Sequence, residues 1–477
     1  YITGETGSSD FPTQNPYQGD QGDGDAFVTK VGPPSVGPPS CASPPLSTDY
    51  AVEGSTQEGF EEWLLLSNPD PAVEGLACVS ILTASGPGGT HAFWVPPLSR
   101  VSVKVNDLIE DPEVSLKIDS HQRKIYSERA MYISSGQRQG AHLGRSLPLS
   151  SATTSIYIPE GFTAQSSETW ILVSNPSATL TATIDLFFQT DTGSIPGPQD
   201  VSLPPQTRRT FKANDYVPDS FFVGTSVSSD KPVLAERASY LGHSGLLGVT
   251  ASPGTPQLSK SWILPEGATA GPFETWILLS NPTSNHVDAQ VRFLTSTGAL
   301  PPLSFHLMPQ TRISIRADDY TDTYDVATLV SSDHPIATER ALYSRGHPSY
   351  GDTASSAEGL TSLSKSWLTP EGAALGGFET WTLVSNPSLT ETAVISLDYL
   401  TESGLSPGPQ NYSLGPGSRV SFRANDFVST YNAAAKVEVV LGPAVAVDHS
   451  VYAPEGRMGR DATGGPGIPL GLLVPIP

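Results

Sequence analysis

The sequence predicts an all-β chain: four tandem β-sandwich repeats of about 105 residues in a rod, with an extended N-terminal segment and a strand-like C-terminal tail. Three observations lead there. One phrase occurs four times, as FEEWLLLSNP at 60–69, SSETWILVSNP at 166–176, FETWILLSNP at 273–282 and FETWTLVSNP at 378–387. The residues after it alternate apolar and polar with period two, the mark of a strand with one buried face. The 44 glycines and 44 prolines favour many turns and strands over long helices.

Aligned on the tryptophan, the copies place Trp63, Trp170, Trp276 and Trp381 at spacings of 107, 106 and 105. Other marks keep step. A Glu-Gly pair precedes each tryptophan (Glu53, Glu160, Glu266, Glu371), and a hydroxyl-Arg pair follows (Arg100, Arg208, Arg312, Arg419). Asn106-Asp107, Asn214-Asp215, Asp318-Asp319 and Asn425-Asp426 come next, then SERAMY, AERASY, TERALY and, departing from the rest, VDHSVY. Self-similarity at a fixed period identifies tandem units.

Within a unit, "WILL" is apolar at consecutive positions, as in a central strand covered on both sides. The Asn-Pro after it ends the strand, since proline cannot donate to the ladder and asparagine suits turns. About seven such strands per repeat fit an immunoglobulin-like sandwich with a buried tryptophan. Trp63, Trp170, Trp276 and Trp381 are therefore the expected repeat cores. No cysteine pair flanks them, so the likeness is to the architecture and not to antibody domains.

The elements in order are a strand-forming segment at 1–30, a proline-rich linker at 31–47, repeats at 48–152, 153–260, 261–365 and 366–460, and an apolar tail at 461–477. The linker's Pro-Pro pairs favour an extended polyproline II spacer. YITGETGSSDFPT followed by GDAFVTKV, within 1–30, resembles one copy of the bacterial seven-bladed-propeller-type repeat. The resemblance implies two strands joined by a Ser/Thr-rich turn, with neighbouring blades to cover them. Residues 47–455 are similar to tandem modules of secreted bacterial surface proteins marked by PEG…ETWILLSNP…ERA.Y, which implies an extracellular or cell-surface location and no catalysis.

In the tail, Ile468, Leu470, Leu472, Val474 and Ile476 alternate with Pro469, Gly471, Leu473, Pro475 and Pro477. The prolines spoil only one hydrogen-bonding edge, so the tail is written to add to a sheet. Either it completes the fourth repeat, or it is a donor strand for the next molecule and builds a head-to-tail filament.

Several functions are disfavoured. With 26 Lys+Arg against 48 Asp+Glu the net charge is −22, which repels nucleic acid and acidic lipid headgroups. No apolar run reaches the length of a membrane-spanning helix. The chain begins at Tyr1 and reads as a mature product or a segment of a longer one.

Motifs for catalysis are lacking: no HExxH, GxSxG or P-loop occurs. Glu266, Glu274 and Glu339 could suggest a glycosidase, but fourfold repetition argues for structural ion pairs. Asp20, Asp23 and Asp25 resemble part of a calcium loop without its terminal glutamate, and the sequon at Asn411 is single. No enzyme activity, metal or cofactor is expected. Cys41 and Cys78 form either a disulfide or two free thiols. The expected function is a structural subunit of an extracellular filament or stalk with itself as partner. An adhesin or glycan-binding module is the alternative, and a wall anchor for an upstream hydrolase a third.

Overall fold

The computed structural model describes residues 2–6, 25–29, 41–136, 138–243, 246–347, 351–453 and 462–477. Two compact units result, 1–43 and 44–477. In the first, the strands Ile2–Thr6 and Asp25–Thr29 pair antiparallel, Ile2 opposite Thr29. Asp20, Asp23 and most of the proline-rich linker lie outside the described residues.

The second unit is all-β, built from small antiparallel sheets in a propeller-like arrangement. Each repeat is two facing sheets. In the first, Phe60–Asn68 lies between Tyr126–Ser135 and Ser99–Lys104, with Arg138–Arg145 outermost. Ser115–His121 and Gly75–Thr83 lead the opposing sheet. In repeats two and three a single long strand, Gly224–His243 or Val326–His347, runs through both sheets. Each sandwich holds its own core, such as Leu64, Leu66, Val79 and Ile118 in the first and Ile277, Leu279, Val291 and Phe293 in the third.

The expected rod is not formed; the repeats close into a ring. The last strand of each repeat faces the axis: Arg138–Arg145 lies against Leu246–Pro253, that against Gly351–Glu358, that against Ala462–Pro466, and the last returns to Arg138–Arg145. These strands carry small residues because four backbones converge there. A Cβ on Gly248 would stand 2.9 Å from the Cβ of Ala354, and one on Gly144 would stand 2.5 Å from Nη2 of Arg129.

Strand parity explains the closure. Leu64 and Leu66 point into their own sandwich, while Trp63 and Leu65, of opposite parity, point at the neighbouring repeat. Apolar clusters therefore also form between repeats: Phe60 and Tyr50 with Leu172 and Ala238, Phe162 with Ala354, Phe273 with Tyr452, and Leu65 with Phe378. The consecutive apolar residues are covered on both sides as expected, but one cover is a different repeat.

The tail pairs within the chain, with the fourth repeat and the segment that leads into it. Ala462–Pro466 pairs with Ala446–Tyr452, Ile468–Pro469 with Ser366–Thr369, and Val474–Pro475 with Ser362–Leu363. Val474 and Ile476 pack on the fourth core and Leu470 on Leu368 and Leu400, while Leu472 is 84% exposed. The candidate donor strand is thus spent within the chain, as a repeat lacking its last strands would require.

Candidate functional site

Two features recur at every junction between repeats, and both are built from the marks that kept step in the sequence. The first is a buried ring of charge. Arg129 meets Glu53 of its own repeat at 3.1 Å and Glu236 of the second repeat at 2.8 Å. Arg237 meets Glu160 at 2.7 Å and Glu339 of the third at 2.8 Å. Arg340 meets Glu266 and, at 3.9 Å, Asp448 of the fourth. His449 closes the circle on Glu128 of the first repeat at 3.4 Å.

At three of the four junctions the carboxylate of the incoming repeat also accepts from the Glu-Gly turn beside it: Glu53 N to Glu236 at 3.0 Å, Glu160 N to Glu339 at 2.8 Å, Glu371 N to Glu128 at 2.7 Å. Successive strand residues point to opposite faces, so Glu339 and Arg340 serve different partners. The glycosidase-like trio is consumed in this way: Glu266 and Glu339 sit in the ring, and Glu274 lies 3.3 Å from Arg316. Burial raises the pKa of Asp448 to about 7, against the pull of Arg340. His449 is held up at about 9: burial opposes its charge, but Glu128 and its neighbours outweigh that.

The second feature is a cleft. Each hydroxyl-Arg reaches across its junction to backbone carbonyls: Arg208 to Gly54 O at 2.7 Å, Arg312 to Pro159 O at 2.8 Å, Arg419 to Tyr324 O at 2.8 Å and Arg100 to Tyr431 O at 2.7 Å. Such bonds cap the inner end of a groove whose outer wall is the tryptophan strand. Trp63, Trp170, Trp276 and Trp381 are therefore not the sandwich cores. All four are half-buried on the interface face, where strand parity puts them. Trp262 and Trp367 are the buried pair, each 1% exposed, with Nε1 donating to backbone carbonyls at 3.0–3.1 Å.

Beside each half-buried tryptophan, two residues earlier, is a glutamate with a basic partner on the adjoining strand: Glu61 with Lys104 at 3.0 Å, Glu168 with Lys212 at 2.5 Å, Glu274 with Arg316 at 3.3 Å, Glu379 with Arg423 at 2.7 Å. Trp63 Nε1 donates to Glu61 at 2.7 Å, and the Lys104 ammonium lies 5.7 Å from the Trp63 ring. An aromatic face with carboxylate and cation at its edge suits a ligand with apolar patches between polar groups.

Three clefts are open, with volumes of about 490 Å³ between repeats four and one, 370 Å³ between three and two, and 210 Å³ between two and one. Sequence reading found the tryptophans and the glutamate before each, but not that they meet a second repeat. The recurring arginine with no carboxylate beside it was the available signal. No group of three or more His, Cys, Asp or Glu able to hold a metal occurs among the described residues, and no helix is long and apolar enough to cross a membrane. Neither cysteine is a free thiol.

No family model matches the chain, and no curated protein matches it. Among solved structures it is similar to Thermotoga maritima 1070, with 12% identity over 22% of this chain and 95% of that one and a TM-score of 0.20. It is also similar to the Anabaena sensory rhodopsin transducer, with 17% identity over 18% of this chain and 95% of that one and a TM-score of 0.16.

Proposed function

We propose that this chain is a non-catalytic extracellular binding module whose ligands are surface glycans seated in the clefts between repeats. The observation that carries this is the half-buried tryptophan with its Glu and Lys/Arg companions at every junction. Pyranose rings present an apolar face to an indole and hydroxyls to the charged rim, and they need no metal. The acidic surface keeps nucleic acid and anionic lipid away. The N-terminal strand pair is read with this as a partial propeller-type repeat that precedes the ring.

The test is a glycan array probed with the full chain and with Trp63→Ala. Binding that Trp63→Ala weakens, with an unchanged circular dichroism spectrum, supports the reading. An array blank for the wild type overturns it. A second reading, a structural subunit of a surface filament or stalk, draws on the exposure of Leu472 and Leu473 at 84% and 51%. Electron microscopy of the full chain separates the two, since a filament subunit polymerises without added glycan.

A further inference from the structure

The four junctions are alike in plan and unequal in detail. In the first three repeats the glutamate of the Glu-Gly turn is held by an arginine of its own repeat: Glu53 by Arg129, Glu160 by Arg237, Glu266 by Arg340. The fourth repeat has His449 at that place. Its ring is shorter than a guanidinium arm and is committed elsewhere, with Nδ1 2.8 Å from Gly465 O and Nε2 directed at Glu128. Glu371 is left out. It is 3% exposed and, like Glu53, Glu160 and Glu266, has an Oε2 without a hydrogen bond, but unlike them it forms no ion pair among the described residues. A buried carboxylate oxygen without a donor costs free energy, more when charged.

Glu371 lines the largest of the three open clefts, with Trp63 on the opposite wall. Phe378 stands between Tyr132 and Tyr431, ring centroids 6.3 Å from each, so the cleft is walled by aromatic faces. Burial raises the Glu371 carboxyl above its ordinary range, although the positive charges of Arg100 and His449 act on it without an ion pair. Arg100 Nη1 is shared by Gly372 O, Tyr431 O and Asn432 Oδ1 at 2.7–3.2 Å. The corresponding cleft between repeats two and one is crossed instead by Arg138. Its guanidinium lies 5.6 Å from the Trp170 ring, 4.5 Å from that of Tyr240 and 2.5 Å from Glu168. There the chain's own cation occupies the aromatic walls.

We infer that the cleft between repeats four and one is a specialised site for a sugar bearing a primary ammonium, with Trp63 under the pyranose and Glu371 accepting from the ammonium. The ligand supplies at this junction the close ion pair that an arginine makes at the other three. Charge-assisted N–H···O bonds are about twice as strong as neutral ones, and aromatic walls favour a cation further. The inference rests on the glycan-binding reading above and names the class of glycan.

Three β-1,4 disaccharides that differ only at C2 provide the test: the glucosamine dimer, cellobiose and N,N′-diacetylchitobiose, titrated calorimetrically into the full chain at pH 7. The glucosamine dimer is expected to bind about 10-fold more tightly than cellobiose, a difference of about 1.4 kcal/mol. Glu371→Gln brings the two to parity. His449→Arg, which restores the pattern of the other repeats, does the same without removing a carboxylate, and guards against a misfolded Glu371 variant. Cellobiose or the diacetylated dimer binding as well as the amine overturns the inference and leaves glycan binding intact. Absence of binding by all three overturns the inference, and a blank array with it overturns the glycan-binding reading as well.

Discussion

Replacing Glu62 with threonine should stabilise the protein. Glu62 is fully buried on the tryptophan strand of the first repeat, and neither carboxylate oxygen makes a well-formed hydrogen bond, although the Ser55 N–H acts on the carboxyl. The other three repeats have Thr169, Thr275 and Thr380 there. Each Oγ1 donates to a carbonyl of the preceding turn at 2.7–2.8 Å and accepts the N–H of the same residue at 2.8–3.0 Å.

Removing a poorly satisfied buried carboxyl returns about 1–3 kcal/mol, and the added backbone bond contributes about 0.5–1.5 kcal/mol. The lost side-chain volume costs about 1 kcal/mol. A net gain of about 2 kcal/mol is expected at pH 7. Burial holds the Glu62 carboxyl well above the ordinary range despite the nearby guanidinium of Arg129. A carboxyl raised in this way lends its stability below its unfolded pKa and loses it as pH rises through the folded value. The advantage of Glu62→Thr should therefore shrink from pH 7 to pH 4. Urea unfolding followed by tryptophan fluorescence at both pH values measures it. A variant no more stable than wild type at pH 7 would refute the assignment of Glu62 as a poorly compensated buried carboxyl.

Arg237→Met opens the charge ring and leaves Glu160 and Glu339 buried without their cation, so the melting temperature should drop by the equivalent of about 3–5 kcal/mol. A loss below about 1 kcal/mol would mean that the ring contributes little. Ending the chain at Gly467 strips Val474 and Ile476 from the fourth core. The truncated protein should melt lower yet keep the mass of a single chain by light scattering, whereas filaments present only with the tail would reinstate strand donation. Peptide mapping without reductant should recover Cys41 and Cys78 in one cross-linked peptide that separates on reduction; two separate alkylated peptides would refute that pairing.

The repeats were legible because period-two alternation and a spacing near 105 residues survive four times over. Ring closure was not, because an apolar residue facing a neighbouring repeat has the same composition as one facing its own core. Leu64 and Leu65 are indistinguishable on paper, yet they belong to different clusters. Parity was the missing clue for the tryptophans, since Trp63 stands in step with Leu65 and not with Leu64. The axial strands escaped for the opposite reason. GAHLGR, LGVTASP and GDTASSAE are poor in the bulky residues that announce a strand, being fitted to a place where backbones crowd. The tail's single apolar face was only partly kept: Ile468–Pro469 and Val474–Pro475 pair as short strands, while Leu472 between them is 84% exposed.

A ring assembled from four separate copies of one repeat must write every substitution four times, once per subunit. Here the four are joined in one polypeptide, so a single codon can alter one junction and spare three. The exchange of Glu-Arg for Asp448-His449 is such a local edit. Covalent linkage thus exempts this chain from its own symmetry: three junctions can hold the ring shut while the fourth diverges.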